Sequence, residues 1–175
     1  MRGSTAVRAM GVTVLATILS SCASTPQPSG GRTYSGGEPN WQAAPTYGTV
    51  ELTAGFTPDP YIRSIAAGGA DEVSLSGSGC SGFIHAGAPD LDLNYRNAGQ
   101  YELAIYAKAD TDITLVVYGP DRRWYCSDDA NGTNPAITFP NPMSGNYNIW
   151  IGTYRASGAP LPESALYISE MAPRW

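Results

Sequence analysis

From Val50 onward apolar residues recur at every second position, in short runs that are each closed by a turn. That period belongs to strands with one buried face, because successive side chains on extended backbone point to opposite sides. VELTAGF alternates Val50, Leu52, Ala54 and Phe56; LDLNY alternates Leu91, Leu93 and Tyr95, with Asp92 and Asn94 on the other side. EVSL, YELAIYA, AITF, NYNIWIG and ALYIS repeat the pattern, and ITLVVYG is apolar throughout, as expected of a central strand covered on both faces. GGAD, GAPD, RNAGQ, GPDRR, ANGTNP, NPMSGN and ASGAP separate these runs. About eight short strands with turns between them predict an all-β fold, an antiparallel β-sandwich or jelly roll. One stretch, PDPYIRSIAAGG, predicts a turn or two of helix, with Tyr61, Ile65 and Ala66 near one face.

The first 47 residues lack this period. Arg2 and Arg8 precede an apolar run of eleven, Ala9 to Leu19. A bilayer span needs about 20 such residues, so 1–21 is expected to be a signal peptide. Leu19-Ser20-Ser21-Cys22 resembles the lipobox of bacterial lipoproteins, which implies cleavage before Cys22 and acylation of its thiol and amine. Two or more acyl chains anchor stably where one binds only marginally. Ala23 follows the cysteine instead of aspartate, so the outer membrane is the expected destination in a Gram-negative cell. Residues 22–47 are rich in Pro, Gly, Ser and Thr and are expected to be a flexible, disordered tether holding the domain tens of ångströms from the lipid. Trp41 and Tyr47 stand out and are expected to pack the end of the tether onto the domain, with binding of a partner as the alternative.

Charge narrows the partners. The chain has ten Lys and Arg against fifteen Asp and Glu, and loss of 1–21 leaves eight against fifteen. A net −7 excludes a nucleic-acid backbone as the partner. Contact with the membrane is expected through the lipid on Cys22 and not through charge. Cys80 and Cys126 remain after Cys22, and two cysteines in an exported domain are expected to pair; a loop of that length would stabilise by about 4 kcal/mol.

The order FTPDPYIRSIAAGG, GCSGFIHAGAPDLDLNY, ADTDITLVVYGPDRRWYCSDD, NPAITFPNPMSGNYNIWIGTY resembles the bacterial pre-peptidase C-terminal domain, over about residues 50–170. The resemblance places the domain at 48–172. It implies a β-sandwich that is appended to exported proteins and is not itself catalytic. It also implies calcium binding through acidic loop residues in some members, and attachment to polymers such as collagen or polysaccharide in others.

The residues offer little for catalysis. His85 is the one histidine; Ser81 lies near it in GCSGF, which is neither a nucleophile elbow nor a trypsin-like motif. Lys108, the one lysine, has no SxxK before it, and zinc would need more His or free Cys. Calcium suits the acids better, since it takes six to eight oxygens without fixed geometry. If 113–118 and 123–126 form a hairpin through GPDRR, then Asp110, Asp112, Asp128 and Asp129 gather at one end, with Asp121 at the other. Acids beside turns also bond nearby amides with no metal present. Trp124, Trp150 and Tyr154 are candidates for sugar stacking, with cover of a second layer as the alternative. The expected function is a non-catalytic envelope lipoprotein that binds protein or polysaccharide, with or without calcium. An accessory subunit of a secreted peptidase, or a hydrolase, is the alternative.

Overall fold

The structure is a computed structural model that describes residues 1, 3, 37–75 and 80–175, with only the backbone of Cys80. The expected signal peptide, the lipidation site Cys22 and the tether up to residue 36 lie outside the described residues. The described residues hold eleven strands and no helix, and so no helix long and apolar enough to cross a membrane.

The strands are β1 (Thr49–Thr53), β2 (Tyr61–Ala66), β3 (Asp71–Leu75), β4 (Cys80–Ile84), β5 (Leu91–Arg96), β6 (Leu103–Lys108), β7 (Ile113–Tyr118), β8 (Trp124–Ser127), β9 (Ala136–Phe139), β10 (Gly145–Thr153) and β11 (Glu163–Ser169). They form a β-sandwich. One sheet has seven strands, with β10 at its centre pairing β5, β7 and β4; the other runs β2-β11-β6-β9. Pairing is antiparallel except for β1 alongside β5, where Val50 matches Leu93.

The alternating residues do what their period predicts. Leu91, Leu93, Ile105, Leu115, Ile149, Leu166 and Ile168 are fully buried between the sheets. Strand β7 is buried on both faces: Leu115 and Val117 enter this main core, while Val116 enters a second one on the far side of the sheet.

Two local expectations change. Residues 61–66 form β2, not a helix, with Tyr61 opposite Ile168 and Ile65 opposite Ser164. Pro58 and Pro60 withhold backbone donors, and each holds the residue before it extended. Residues 80–84, which the two-residue period does not mark, form β4. Gly82 has φ +137, and a Cβ there would stand 2.6 Å from the Thr114 hydroxyl, so its glycine answers a close approach within a sheet.

The hairpin β7–β8 forms as expected, with Val116 opposite Cys126. The Gly119 amide donates to Arg123 O at 2.9 Å and Asp121 caps the turn, accepting from the Arg123 amide and the Tyr125 hydroxyl. The end of the expected tether is not free. From Asn40 to Tyr47 it is laced to the domain: amides of Asn40, Thr46 and Tyr47 donate to the carbonyls of Ala86, Pro89 and Asp90 at 2.7–2.8 Å.

Candidate binding face

The outer face of the seven-stranded sheet gathers more polar and aromatic side chains than alternation alone suggests. Side chains opposite in register and facing out form rows. One row runs Thr49, Asp92, Asn148, Tyr118, Trp124 across β1, β5, β10, β7 and β8. A second runs Glu51, Asn94, Asn146.

Over β7, β8 and the second half of β10 this face is covered. Val73, Ile84 and Ala86 from the β3–β4 region close over Val116 and Trp150, with Leu75, Tyr118, Trp124 and Cys126 packed around them. Trp150 is 0% exposed, so it covers a second layer and cannot stack on a sugar; that expectation is corrected. Its place opposite Val116, on the face that β3 and β4 close over, puts it in the second core. Trp124 is half-buried between Tyr118 at 4.7 Å and Trp150 at 5.5 Å, so most of its ring is taken by packing. The indole nitrogens of both tryptophans are buried without a hydrogen-bond partner. Tyr154 is 47% exposed but lies past the end of β10, its amide donating to Asp112 O, apart from the aromatic stack.

The accessible aromatic surface is Trp41. Its ring stacks on Tyr118 at 5.0 Å and 28°, while the residue remains 38% exposed. The stack Trp41–Tyr118–Trp124–Trp150 thus runs from solvent to a buried floor. Beside it Asp92 and Asn94 on β5 and Asn146 on β10 are partly exposed, while Asn148 between them and Tyr118 is buried, 3% exposed. The Asn148 amide donates to Asp92 at 2.8 Å and the Asn146 amide to Asn94 at 3.0 Å. The Arg96 guanidinium pairs with Glu51 at 2.7 Å. A shallow cleft of about 520 Å³ continues from this ladder, lined by Asn94, Arg96, Asn97, Ser144 and Asn146 among others. Burial pushes the Asp92 carboxyl up, and the amides of Asn148 and Asn146 draw it back down. Trp41 packs onto the domain as expected and still keeps part of its ring in solvent. The ladder had a signal in the sequence: Asp92, Asn94, Asn146 and Asn148 all fall at outward positions of alternating strands.

The acids gather only in part. Burial pushes Asp112 up, and the charges of Asp129 and Asp128 add to it, against Arg155. One Asp112 oxygen is buried without a partner. Asp110 lies elsewhere, on a depression with Lys108, Ser64 and Glu163. Asp128 accepts from the Asp129 amide at 3.1 Å. Among the described residues no group of three or more His, Cys, Asp or Glu side chains is placed to hold a metal ion. Asp112, Asp128 and Asp129 thus share one end of the hairpin, with Asp110 apart on its own depression.

Ser81 lies on β4 opposite Ser74 and His85 follows the strand; both are exposed, and no hydrogen bond joins them. Lys108 sits 5.1 Å from the Tyr167 ring centroid. Cys126 packs into the second core, while the side chain of Cys80, its expected partner, lies outside the described residues.

Asp90 is 5% exposed, at the seam of strap and sheet, accepting from the Ile151 amide at 2.7 Å. Burial pushes its carboxyl up to about 7, against the lowering effect of that hydrogen bond. The chain matches no protein-family model and no curated protein.

Proposed function

We propose that this is a non-catalytic, lipid-anchored lipoprotein of the bacterial cell envelope, probing its surroundings with a β-sandwich that binds an envelope protein or polysaccharide. The observation that carries the binding part is the open half of the outer sheet face, where an exposed tryptophan backed by stacked rings adjoins a ladder of amides and a cleft. Such a surface offers apolar contact and oriented hydrogen bonds at little conformational cost. The envelope part rests on Arg2, Arg8, the apolar run and Cys22, and on the resemblance to pre-peptidase C-terminal domains. A Cys80–Cys126 bridge would join β4 to β8 and clamp the second core; a mass shift on reduction and alkylation tests it.

The test is to isolate the tagged full chain from crosslinked cells in detergent. A defined envelope partner is expected, together with acyl chains on Cys22 by mass spectrometry. Recovery of no partner would count against binding, and an unmodified Cys22 against the anchor. The alternative, an accessory subunit of a peptidase or a hydrolase, predicts activity lost in Ser81→Ala or His85→Ala. Calcium is an optional part of the proposal, with oxygens from Asp112, Asp128 and Asp129. It requires a Tm raised by calcium in the wild type and not in Asp128→Ala/Asp129→Ala.

A further inference from the structure

The open face has a definite chemical character. Among the described residues of the ladder and cleft the one cation is Arg96, and it is paired with Glu51. Asp92 is engaged by Asn148. The remaining groups are neutral: Asn94, Asn97, Asn146 and Ser144. Amide side chains donate and accept at once, which matches hydroxyl groups, themselves donors and acceptors. The ladder is preformed, since Asn146 is already fixed to Asn94 and Asn148 to Asp92. Trp41 supplies a flat apolar plate, immobilised from behind by Tyr118, onto which the C–H face of a sugar ring can pack. A chain carrying a net charge of −5 would repel an anionic polymer, and the cation among the described residues of the ladder and cleft, Arg96, is already paired.

The arrangement also has the right extent. Tyr118 and Asp92 are two strands apart and Asn94 is two residues further along, so platform and ladder together span roughly 12 Å diagonally, before the cleft is added. That is the reach of a short run of sugars, not of a single one.

We propose that this face binds a neutral, hydroxyl-rich polysaccharide chain, with one sugar on Trp41 and its neighbours along Asp92, which buried Asn148 holds in place, and along Asn94 and Asn146 into the cleft. The inference rests on the binding-module reading and narrows its ligand class. An acidic polysaccharide is disfavoured by charge, and a protein partner would not need a ladder of neutral amides.

The full chain in mild detergent is run in native gels cast with laminarin, galactomannan or hydroxyethylcellulose, and with alginate as the anionic comparison. At least one neutral polymer retards the wild type and alginate does not. Trp41→Ala and Asn146→Ala each weaken retardation by about tenfold or more, with Tm within about 2 °C of wild type. Tyr101→Ala, an exposed aromatic elsewhere, binds like wild type. Asn146→Ala serves where Trp41→Ala loosens the strap. Absence of retardation by every neutral polymer overturns the inference, as does unchanged retardation of both variants. If a crosslinked protein partner is then recovered, and survives Trp41→Ala, the glycan inference falls while the binding module stands. If neither polymer nor protein is captured, both fall.

Discussion

The two apolar clusters of this molecule share β7, β8 and β10 and differ in kind. The core between the sheets is made of the inward residues of each alternation, and its tyrosines are satisfied: Tyr95 donates to Glu170 at 2.6 Å and Tyr147 to Met143 O at 2.8 Å. The second core, on the outer face of β7 and β10, is made of residues at nominally outward positions. Trp150 lies there beside Ile149 and Ile151 in sequence but on the opposite face. Of the four buried side-chain polar atoms without a partner among the described residues, three, on Thr114, Trp124 and Trp150, belong to that outer face. A main core closed by periodicity can satisfy its polar groups from strand ends. A face covered secondarily by a hairpin and a strap buries amphipathic rings for their area and leaves their N–H groups dry.

The largest effect should come from the main core. Ile149→Ala removes a fully buried side chain between two sheets and should cost about 4 kcal/mol, measured by urea denaturation. A loss below about 1 kcal/mol would mean that the sandwich can collapse around the gap, and that the two cores are less distinct than their packing suggests.

Asp90, where the strap meets the sheet, gives the next effect. Its pKa is raised in the folded state to about 7, above the ordinary carboxylate value, so the folded protein holds a proton that the unfolded chain releases. The stabilisation is full below the unfolded pKa and is lost as pH rises through the folded one. Between pH 5 and pH 8 the wild type should lose about 2–3 kcal/mol from this group. Asp90→Asn, which keeps the acceptor for the Ile151 amide, should flatten that slope. An equal slope in the variant would show that the carboxyl is relieved of its burial.

These two residues also show what was legible in the chain. Ile149 follows from the two-residue period, as do eight of the strands and the β7–β8 hairpin with Asp121 at its turn. Asp90 was invisible because GAPD reads as a turn, and only the folded strap of 40–47 closes over it. Trp150 shows the same limit. Its face could be assigned from NYNIWIG, but whether that face is wet depends on β3 and β4, and CSGFI, with Gly82 at its middle, carries no clear two-residue apolar period. Asp110 parts from Asp112 because a period of two holds only while the backbone stays extended, and the strand begins at Ile113.

The polar handles of the aromatics sharpen the comparison on a smaller scale. Tyr95→Phe removes a hydrogen bond to a carboxylate and should cost about 2 kcal/mol. Trp150→Phe loses ring volume but also deletes a buried N–H that has no partner, so its cost should be only about 1 kcal/mol. The order of the two, read from chemical denaturation, is the decisive quantity. Were Trp150→Phe the costlier, the indole N–H would have to be satisfied by a buried water in the second core.

The smallest effect lies beyond both cores. Glu51 and Arg96 pair on the open face with side chains 60% and 61% exposed, and an ion pair so solvated contributes little to folding. Glu51→Gln should change stability by less than about 0.5 kcal/mol, and less still at high salt. Its consequence for binding should be larger than its consequence for folding, because it leaves Arg96 as a free cation beside the amide ladder. The variant should begin to be retarded by alginate at low ionic strength while keeping its hold on a neutral polymer. Retardation by alginate in the wild type as well would show that the pair does not neutralise the face, and the selectivity assigned to it would have to come from elsewhere.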